Sequence, residues 1–390
     1  MTERLYYTDA RLTHFPATVV SVEQDGRHLV LDRSAFYPTS GGQPHDIGRL
    51  GNARVVDVLD EETRIVHVCS ESGGLVVGDR VEGHIDWDRR FDHMQQHSGQ
   101  HLLSALLADT YGWPTVSVHF GDALNSVDVA AAAIEAGLIA EIEQRLNRLA
   151  TENRAITVTF EDANLAAGLR KASDRAGMLR VVSIEGIDRS ACGGTHVAGT
   201  GEIGAILLRR AERTKGNTRL EFSCGLRAVA RARADAALLA ASARVFTAST
   251  DDLPALVEAQ QKRVTELERE RKRLAAAIAR FEAQTRWDDA PVDVLGMKRI
   301  RMELDGPVRD AEPLVQALVA MGSCVALVLS PATSGVMFGA AEGSGIDAGQ
   351  ALRAALQAVG GRGGGSPRLA QGSVRGMLEL AVVARSLGFS

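Results

Sequence analysis

The sequence predicts a multidomain α+β protein, and three observations carry that prediction. A chain of 390 residues exceeds the ~250–300 at which one hydrophobic core stops growing, so two to four domains are expected. Residues 1–90 read as short apolar runs separated by turn signals, and residues 91–225 alternate helical with strand patterns. Residues 226–290 are helical at spacings of three and four, and residues 291–390 return to strands alternating with helices.

Composition sets the outer limits. With 45% hydrophobic and 24% charged residues the chain is ordinary for a globular protein, which excludes disordered and fibrous classes. No run approaches the ~20 apolar residues of a membrane span, and Met1-Thr2-Glu3-Arg4 opens no secretory signal, so no membrane partner and a cytoplasmic location are expected. Cys69, Cys192, Cys224 and Cys324 are scattered. That argues against a disulfide framework and leaves Cys192 available as a thiolate. The net charge of −5 carries no global nucleic-acid signal, so a polyanion must meet a local basic surface.

Strands at 17–22, 28–32, 53–59, 64–68 and 80–85, with Asp25-Gly26 and Ser72-Gly73-Gly74 between them, predict a small β-barrel over residues 1–90. Its unusual piece is 34–48, too rich in glycine and proline for a strand. It is either an ordinary hairpin loop or a loop whose glycines let the backbone approach a ligand. In the second case Ser34, Thr39 and Gln43 supply polar contacts.

The next segment contains His97 and His101 on a predicted amphipathic helix ending near Tyr111-Gly112-Trp113-Pro114. Imidazoles four apart project from one helix face and are able to share a metal ion. Two such histidines alone are weak evidence, but Cys192-Gly193-Gly194-Thr195-His196 adds a thiolate and a third imidazole. The set His97, His101, Cys192 and His196 is one that zinc prefers. The remainder of 91–225 reads as strands 115–120, 156–160, 181–184, 205–210 and 218–224, with an alanine-rich helix over 130–153. Between residues 205 and 235 eight basic residues, Arg209, Arg210, Arg213 and Lys215 among them, face three acidic ones. This is either a phosphate-facing patch or a solvated surface.

Residues 226–246 and the stretch after 252 predict a helical hairpin. The second helix carries Val257, Gln260, Val264, Leu267, Arg271, Leu274, Ile278 and Phe281 in coiled-coil spacing, which serves packing within the hairpin or a homodimer equally well. Residues 291–390 predict a small α/β domain with strands 298–304, 324–329 and 335–339 and helices 311–321, 349–359 and 373–387. The glycine-rich stretch 360–372, with Arg362 and Arg368, is either a linker or a phosphate-binding loop leading into a helix. It lacks the ending of a nucleotide P-loop, so ATP binding is not expected.

Four motifs together resemble a known family. Phe36-Tyr37-Pro38 with Gly41-Gly42-Gln43, then His97-x-x-x-His101, then Cys192-Gly193-Gly194-Thr195-His196, then the run ending Ala370-Gln371-Gly372 stand in the order found in alanyl-tRNA synthetase after its catalytic domain. The chain is similar over essentially its whole length to the long form of the AlaX alanyl-tRNA editing proteins. The resemblance implies a zinc-bearing editing domain over 91–225, tRNA(Ala) as partner through its acceptor end and body, and hydrolysis of mischarged esters, Ser-tRNA(Ala) first and Gly-tRNA(Ala) second. It implies Zn2+ on His97, His101, Cys192 and His196, with His97 and His101 also in the catalytic step. Substrate contacts are implied at Ser34, Thr39, Gln43, Gly193, Gly194 and Thr195, and tRNA contacts at Arg209, Arg210, Arg213, Lys215, Arg362 and Arg368. Two positions depart from the family pattern: Ser34 stands where threonine is common, and Arg368 where aspartate is common. A non-catalytic zinc-stabilised tRNA-binding module and editing of Ser-tRNA(Thr) are the competing readings.

Overall fold

The computed structural model describes residues 1–171 and 177–389, which form two compact units, 1–241 and 242–390. The first unit opens with strands β1 (Glu3–Arg4), β2 (His14–Glu23), β3 (His28–Leu31), β4 (Arg33–Ser34), β5 (Gly48–Leu50), β6 (Ala53–Glu61), β7 (Arg64–Cys69) and β8 (Arg80–Ile85). A short parallel pair joins β1 to β4, and the other six close into a barrel in the order β2-β3-β7-β6-β5-β8. Period-two patterning explains it, since β8 alternates exposed and buried at every residue. Phe15 of β2 occupies the space a side chain at Gly83 would need: a Cβ there would lie 2.4 Å from the ring.

Helix α1 (Trp87–Tyr111) follows. Asp86 starts it by accepting from the Arg89 amide, and Gly112 stops it in the left-handed conformation at φ 67°. Strands β9 (Thr115–His119) and β10 (Asn125–Val129), helix α2 (Ala136–Thr151), strands β11 (Ile156–Asp162), β12 (Met178–Ile184), β13 (Asp188–Ala191), β14 (Ile206–Thr214) and β15 (Asn217–Cys224), and helix α3 (Gly225–Val245) come next. They make two antiparallel sheets, β14-β15-β10-β9 and β11-β12-β13. Met94, Leu102, Leu103 and Leu107 of α1 pack with Val127, Ile142, Leu146, Ile184 and Phe222 in one core. The helix expected over 130–153 begins only at Ala136. Ala130 donates to Pro114 and the Ala131 carbonyl accepts from Thr218, so strand-edge hydrogen bonds override alanine's helix preference there.

The second unit contains α4 (Leu253–Asp289), β16 (Lys298–Glu303), α5 (Glu312–Ala320), β17 (Cys324–Ser330), β18 (Gly335–Ala340), α6 (Ala348–Gln357), β19 (Arg362–Gly365), β20 (Leu369–Ser373) and α7 (Met377–Ser386). Its sheet runs β16-β17-β18-β20-β19, parallel at β16/β17 and antiparallel elsewhere. Every residue of β17 is buried because α5 and α4 cover one face while α6 and α7 cover the other. Helix α4 buries Ala279 and Ala283 rather than the predicted coiled-coil stripe, of which Leu274, Ile278 and Phe281 are exposed.

The glycine-rich stretch is neither a linker nor a loop leading into a helix: it is the hairpin β19/β20, and α7 starts only at Met377. Close packing demands those glycines. A Cβ on Gly363 would lie 2.5 Å from the Gln371 carbonyl and 2.5 Å from Leu356 Cδ1 of α6.

Candidate metal centre

Helix α1 presents His97 and His101 to the loop that follows β13, which carries Cys192 and His196. The four ligand atoms of these residues lie within 4.8 Å of one another. Cys192 Sγ is 3.4 Å from Nε2 of both His97 and His196. On each histidine the outer nitrogen, Nδ1, is tied down: His97 to Gln43 Oε1 at 2.8 Å, His101 to Asp188 Oδ2 at 2.8 Å, His196 to Ser98 Oγ at 3.1 Å. Such outer partners fix ring orientation and leave the inner nitrogens for a metal.

Electrostatics distinguishes the four groups. Burial opposes the Cys192 thiolate, yet the imidazoles of His97 and His196 hold its thiol well below the ordinary value. Burial and then His97 push His196 down to about 3. Burial also works against charge on His101, but the hydrogen bond to Asp188 prevails and raises it to about 9. Burial raises Asp188, and His101 with Arg170 outweighs it, bringing the carboxyl to about 2.

The loop is held by Arg180, which donates Nη1 to the carbonyls of Cys192 (2.7 Å) and Gly194 (2.9 Å) and Nε to that of Tyr7 (3.0 Å). Its amides are largely spent: Gly194 donates to Cys192 Sγ at 3.4 Å and Thr195 to Gln43 Oε1 at 3.0 Å. The Thr195 hydroxyl accepts from Gln43 Nε2 at 2.7 Å. Gly193 N–H has no partner among the described residues. Gly194 has no alternative side chain, because a Cβ would stand 2.1 Å from His97 Cε1.

Gln43, proposed from composition as a ligand contact, therefore serves the cluster as the partner of His97 and Thr195. The loop that carries it is locked to α1 by a fully buried ion pair between Arg90 and Asp46, with Arg90 also donating to the Ala35 carbonyl at 2.6 Å. Thr39 is exposed and bonds to His45 at 3.1 Å. Ser34 is buried with its hydroxyl on His67 Nε2 at 2.7 Å. Because His67 Nδ1 faces the Leu29 carbonyl at 3.0 Å and must donate to it, Nε2 is the acceptor and Ser34 the donor. The Phe36 amide donates to the same hydroxyl at 3.1 Å, so Ser34 keeps only accepting capacity for anything further.

The basic segment is partly compensated. Arg209 pairs with Asp235 at 3.2 Å, and Arg210 with Glu212 at 2.8 Å and Glu221 at 3.1 Å; Arg368 pairs with Glu342. Arg213, Lys215 and Arg362 are exposed and have no acidic partner among the described residues. A serine, a histidine and an aspartate do meet on the β9/β10 surface, but not as a triad. Ser117 Oγ (3.3 Å) and Asp128 Oδ2 (3.6 Å) approach the same nitrogen of His119, and Ser117 donates directly to Asp128 at 2.7 Å.

Sequence reasoning missed Asp188, Ser98 and Arg180. Ser98 sits inside the His97–His101 stretch and Asp188 four residues before Cys192. Their proximity in sequence is a usable signal; Arg180 gives none.

Comparison with known proteins adds the following. Residues 179–221 match the family profile described as the threonyl and alanyl tRNA synthetase second additional domain, and residues 7–89 match tRNA synthetases class II (A). An alanyl-tRNA editing protein AlaX-M from Methanosarcina mazei is 36% identical over 243 residues, covering 57% of this chain and 96% of that protein. An AlaX-L protein from Pyrococcus horikoshii is 29% identical over 397 residues, 97% of this chain and 96% of that one. An alanine–tRNA ligase from Methanobrevibacter smithii is 31% identical over 395 residues, and this chain spans 44% of its length.

Proposed function

The chain belongs to the family of AlaX alanyl-tRNA editing proteins, and from that premise we propose that it hydrolyses the ester of mischarged tRNA(Ala), Ser-tRNA(Ala) first and Gly-tRNA(Ala) second. The observation that carries this reading is the convergence of His97, His101, Cys192 and His196 in a chain that aligns along 97% of its length with a long-form editing protein.

The cofactor we assign is Zn2+. Zinc–sulfur and zinc–nitrogen bonds of ~2.3 and ~2.0 Å in a tetrahedron imply ligand separations of roughly 3.3–3.7 Å. The 3.4 Å spacings of Cys192 Sγ from two imidazole nitrogens support that assignment. Held there by one thiolate and three imidazoles, zinc would keep net positive charge; because four protein donors close a tetrahedron, it would supply Lewis acidity toward an ester carbonyl or a water by taking a fifth ligand or releasing one of the four. The chain's own residues orient the reaction. Gln43, Asp188 and Ser98 fix the three rings, and Gln43 also holds Thr195. Gly193 N–H is the loop donor left to receive charge developing on the ester oxygen. Ser34, with only an acceptor to offer, recognises a seryl hydroxyl and gains nothing from alanine's methyl. Arg213, Lys215 and Arg362 meet tRNA phosphates without first giving up an acidic partner; Arg209, Arg210 and Arg368 have to exchange one.

The test is deacylation of Ser-tRNA(Ala), Gly-tRNA(Ala), Ala-tRNA(Ala) and Ser-tRNA(Thr) side by side, with metal measured by elemental analysis. We expect one zinc per chain, the fastest turnover on Ser-tRNA(Ala), and loss of both metal and activity in the Cys192→Ala, His196→Ala double variant. Full metal occupancy in that variant removes the assigned site. Faster cleavage of Ser-tRNA(Thr) transfers the reading to that substrate, and tight tRNA binding without cleavage makes the protein a binding module.

A further inference from the structure

Two glycines follow Cys192, and they are glycines for different reasons. Gly194 is crowded by His97, whereas neither packing nor backbone requires glycine at 193. Its φ lies outside the left-handed region, and a Cβ there would make only ordinary contacts, at 3.8 Å with the Tyr7 hydroxyl and 3.9 Å with Tyr7 Cε1. Apart from the chain neighbours of Gly193, no other described atom lies within 4 Å of that position. The missing side chain therefore leaves an opening beside the four-donor cluster, bounded by the edge of Tyr7. Tyr7, Cys192 and Gly193 are all partly exposed, so solvent reaches it.

Tyr7 is held from several sides. Its carbonyl accepts from Arg180 Nε at 3.0 Å, and the same guanidinium holds the carbonyls of Cys192 and Gly194. One side chain thus sets the spacing between Tyr7 and the loop. The Tyr6 ring meets that of Tyr7 edge-on at 4.9 Å, and the Arg4 and Arg180 guanidiniums lie 5.6 and 5.7 Å from its centroid. Arg4 is itself gripped by Asp60 at 2.6 and 2.8 Å.

The state of the hydroxyl follows from these contacts. Arg4 Nη1 donates to the phenol oxygen at 3.1 Å, so the oxygen is the acceptor there and its own proton points elsewhere. That proton has no acceptor among the described residues. A charged donor on the oxygen also polarises the O–H bond and makes it a better donor in turn. The Gly193 N–H is likewise uncommitted. Because N and Cβ on one Cα are about 2.5 Å apart, the hydroxyl stands no more than about 6.3 Å from that nitrogen. Two donors that share one oxygen at about 2.9 Å each are separated by up to about 5.8 Å, and such arrangements tighten when substrate binds.

We propose that Tyr7 is a catalytic residue: its O–H and the Gly193 N–H together receive the carbonyl oxygen of the ester as it becomes an oxyanion. The proposal rests on the deacylase reading above and deepens it. Water adds to the carbonyl carbon and the π pair moves onto the oxygen; collapse returns that pair while the terminal ribose oxygen leaves with a proton that the water supplied. Tyr7 keeps its own proton throughout. Its hydrogen bond strengthens as the oxygen gains charge, a differential stabilisation that raises kcat rather than affinity for the ester.

Tyr7→Phe keeps the ring with its neighbours and removes only the hydroxyl. On Ser-tRNA(Ala) it should lower kcat about a hundredfold and leave KM within about threefold. Two probes that do not turn over, titrated calorimetrically into the zinc-loaded full chain, separate ground state from transition state. 3′-(L-serylamino)-3′-deoxyadenosine presents a planar carbonyl; the adenosine 3′-ester of 1-amino-2-hydroxyethylphosphonic acid presents a tetrahedral phosphorus with an anionic oxygen. Tyr7→Phe should bind the first within about threefold of wild type and the second about tenfold or more weakly. Gly193→Ala, which fills the opening without straining the backbone, should lose activity and phosphonate binding. Zinc content and melting temperature should stay at wild-type values in both variants. Equal losses on the two probes make Tyr7 a ground-state contact and overturn the catalytic role. So do wild-type kcat in Tyr7→Phe, full activity in Gly193→Ala, and loss of zinc or a lowered melting temperature in Tyr7→Phe, which would make the hydroxyl structural. In each of those cases deacylation of Ser-tRNA(Ala) by wild type leaves the function standing. Absence of that deacylation removes both.

Discussion

At the residue scale the centre is built on contacts too close to tolerate substitution. Gly194 passes so near His97 that a methyl group would displace the ring or break the Gln43 bond that orients it. Gly194→Ala should lower zinc affinity by about ten- to a hundredfold, the range typical of lost outer partners, in chelator competition; wild-type affinity would show that the loop yields instead. A pH effect arises away from the four-donor cluster, at Asp128, which Arg219 grips at 2.7 and 2.9 Å. That pairing, with Ser117, outweighs burial and brings the carboxyl to about 2. A depressed carboxyl contributes stability that is present above its unfolded value of ~4 and is lost as pH falls toward 2. Asp128→Asn should therefore melt below wild type at pH 7, and the two melting curves should converge between pH 4 and 2. A constant gap across that window would assign the loss to packing rather than ionisation.

Elements owe their positions to a few specific locks. The glycine-rich loop next to the barrel is fixed to α1 by Arg90 and Asp46, both fully buried, and so delivers Gln43 to His97. Losing one partner of such a pair typically costs about 3–5 kcal/mol, since the other is left buried and charged. In the second unit the β19/β20 hairpin lies flat against α6 because Gly363 and Gly372 have no side chains. Gly363→Val should destabilise that unit by ~1–3 kcal/mol in denaturant titration. Gly364→Ala, where a Cβ meets only Arg353 Nη2 at 3.6 Å, should change little. Equal tolerance of the two would mean that the hairpin can lift away from the helix.

At the scale of the whole molecule, residues 1–241 contain the barrel, both sheets and the complete four-donor cluster. A shorter relative named as an alanyl-tRNA editing protein is matched over 57% of this chain and 96% of its own length. A chain ending at Ala241 should fold, hold one zinc and cleave Ser-tRNA(Ala) at saturating tRNA as fast as the full chain. It should need more tRNA for half-saturation and show a flatter salt dependence, because the phosphate contacts proposed for Arg362 and Arg368 are removed with the second unit. Identical half-saturation and salt slope in a deacylation series would exclude residues 242–390 as the tRNA anchor.

What the sequence determined by itself was local or carried by motif. Period-two patterning gave the barrel strands, the capped helix gave α1, and the two short motifs gave all four candidate ligands, because ligand type and spacing along one element are written in the chain. What only the tertiary structure decided depends on groups far apart in sequence. Gln43 reaches His97 across 54 positions and Arg180 closes a loop through backbone carbonyls that no pattern marks. The glycine-rich stretch became a hairpin because Leu356 of a separate helix lies where side chains would stand. Composition and spacing specify which groups are available; burial and pairing, which decide what those groups do, are properties of the folded neighbourhood.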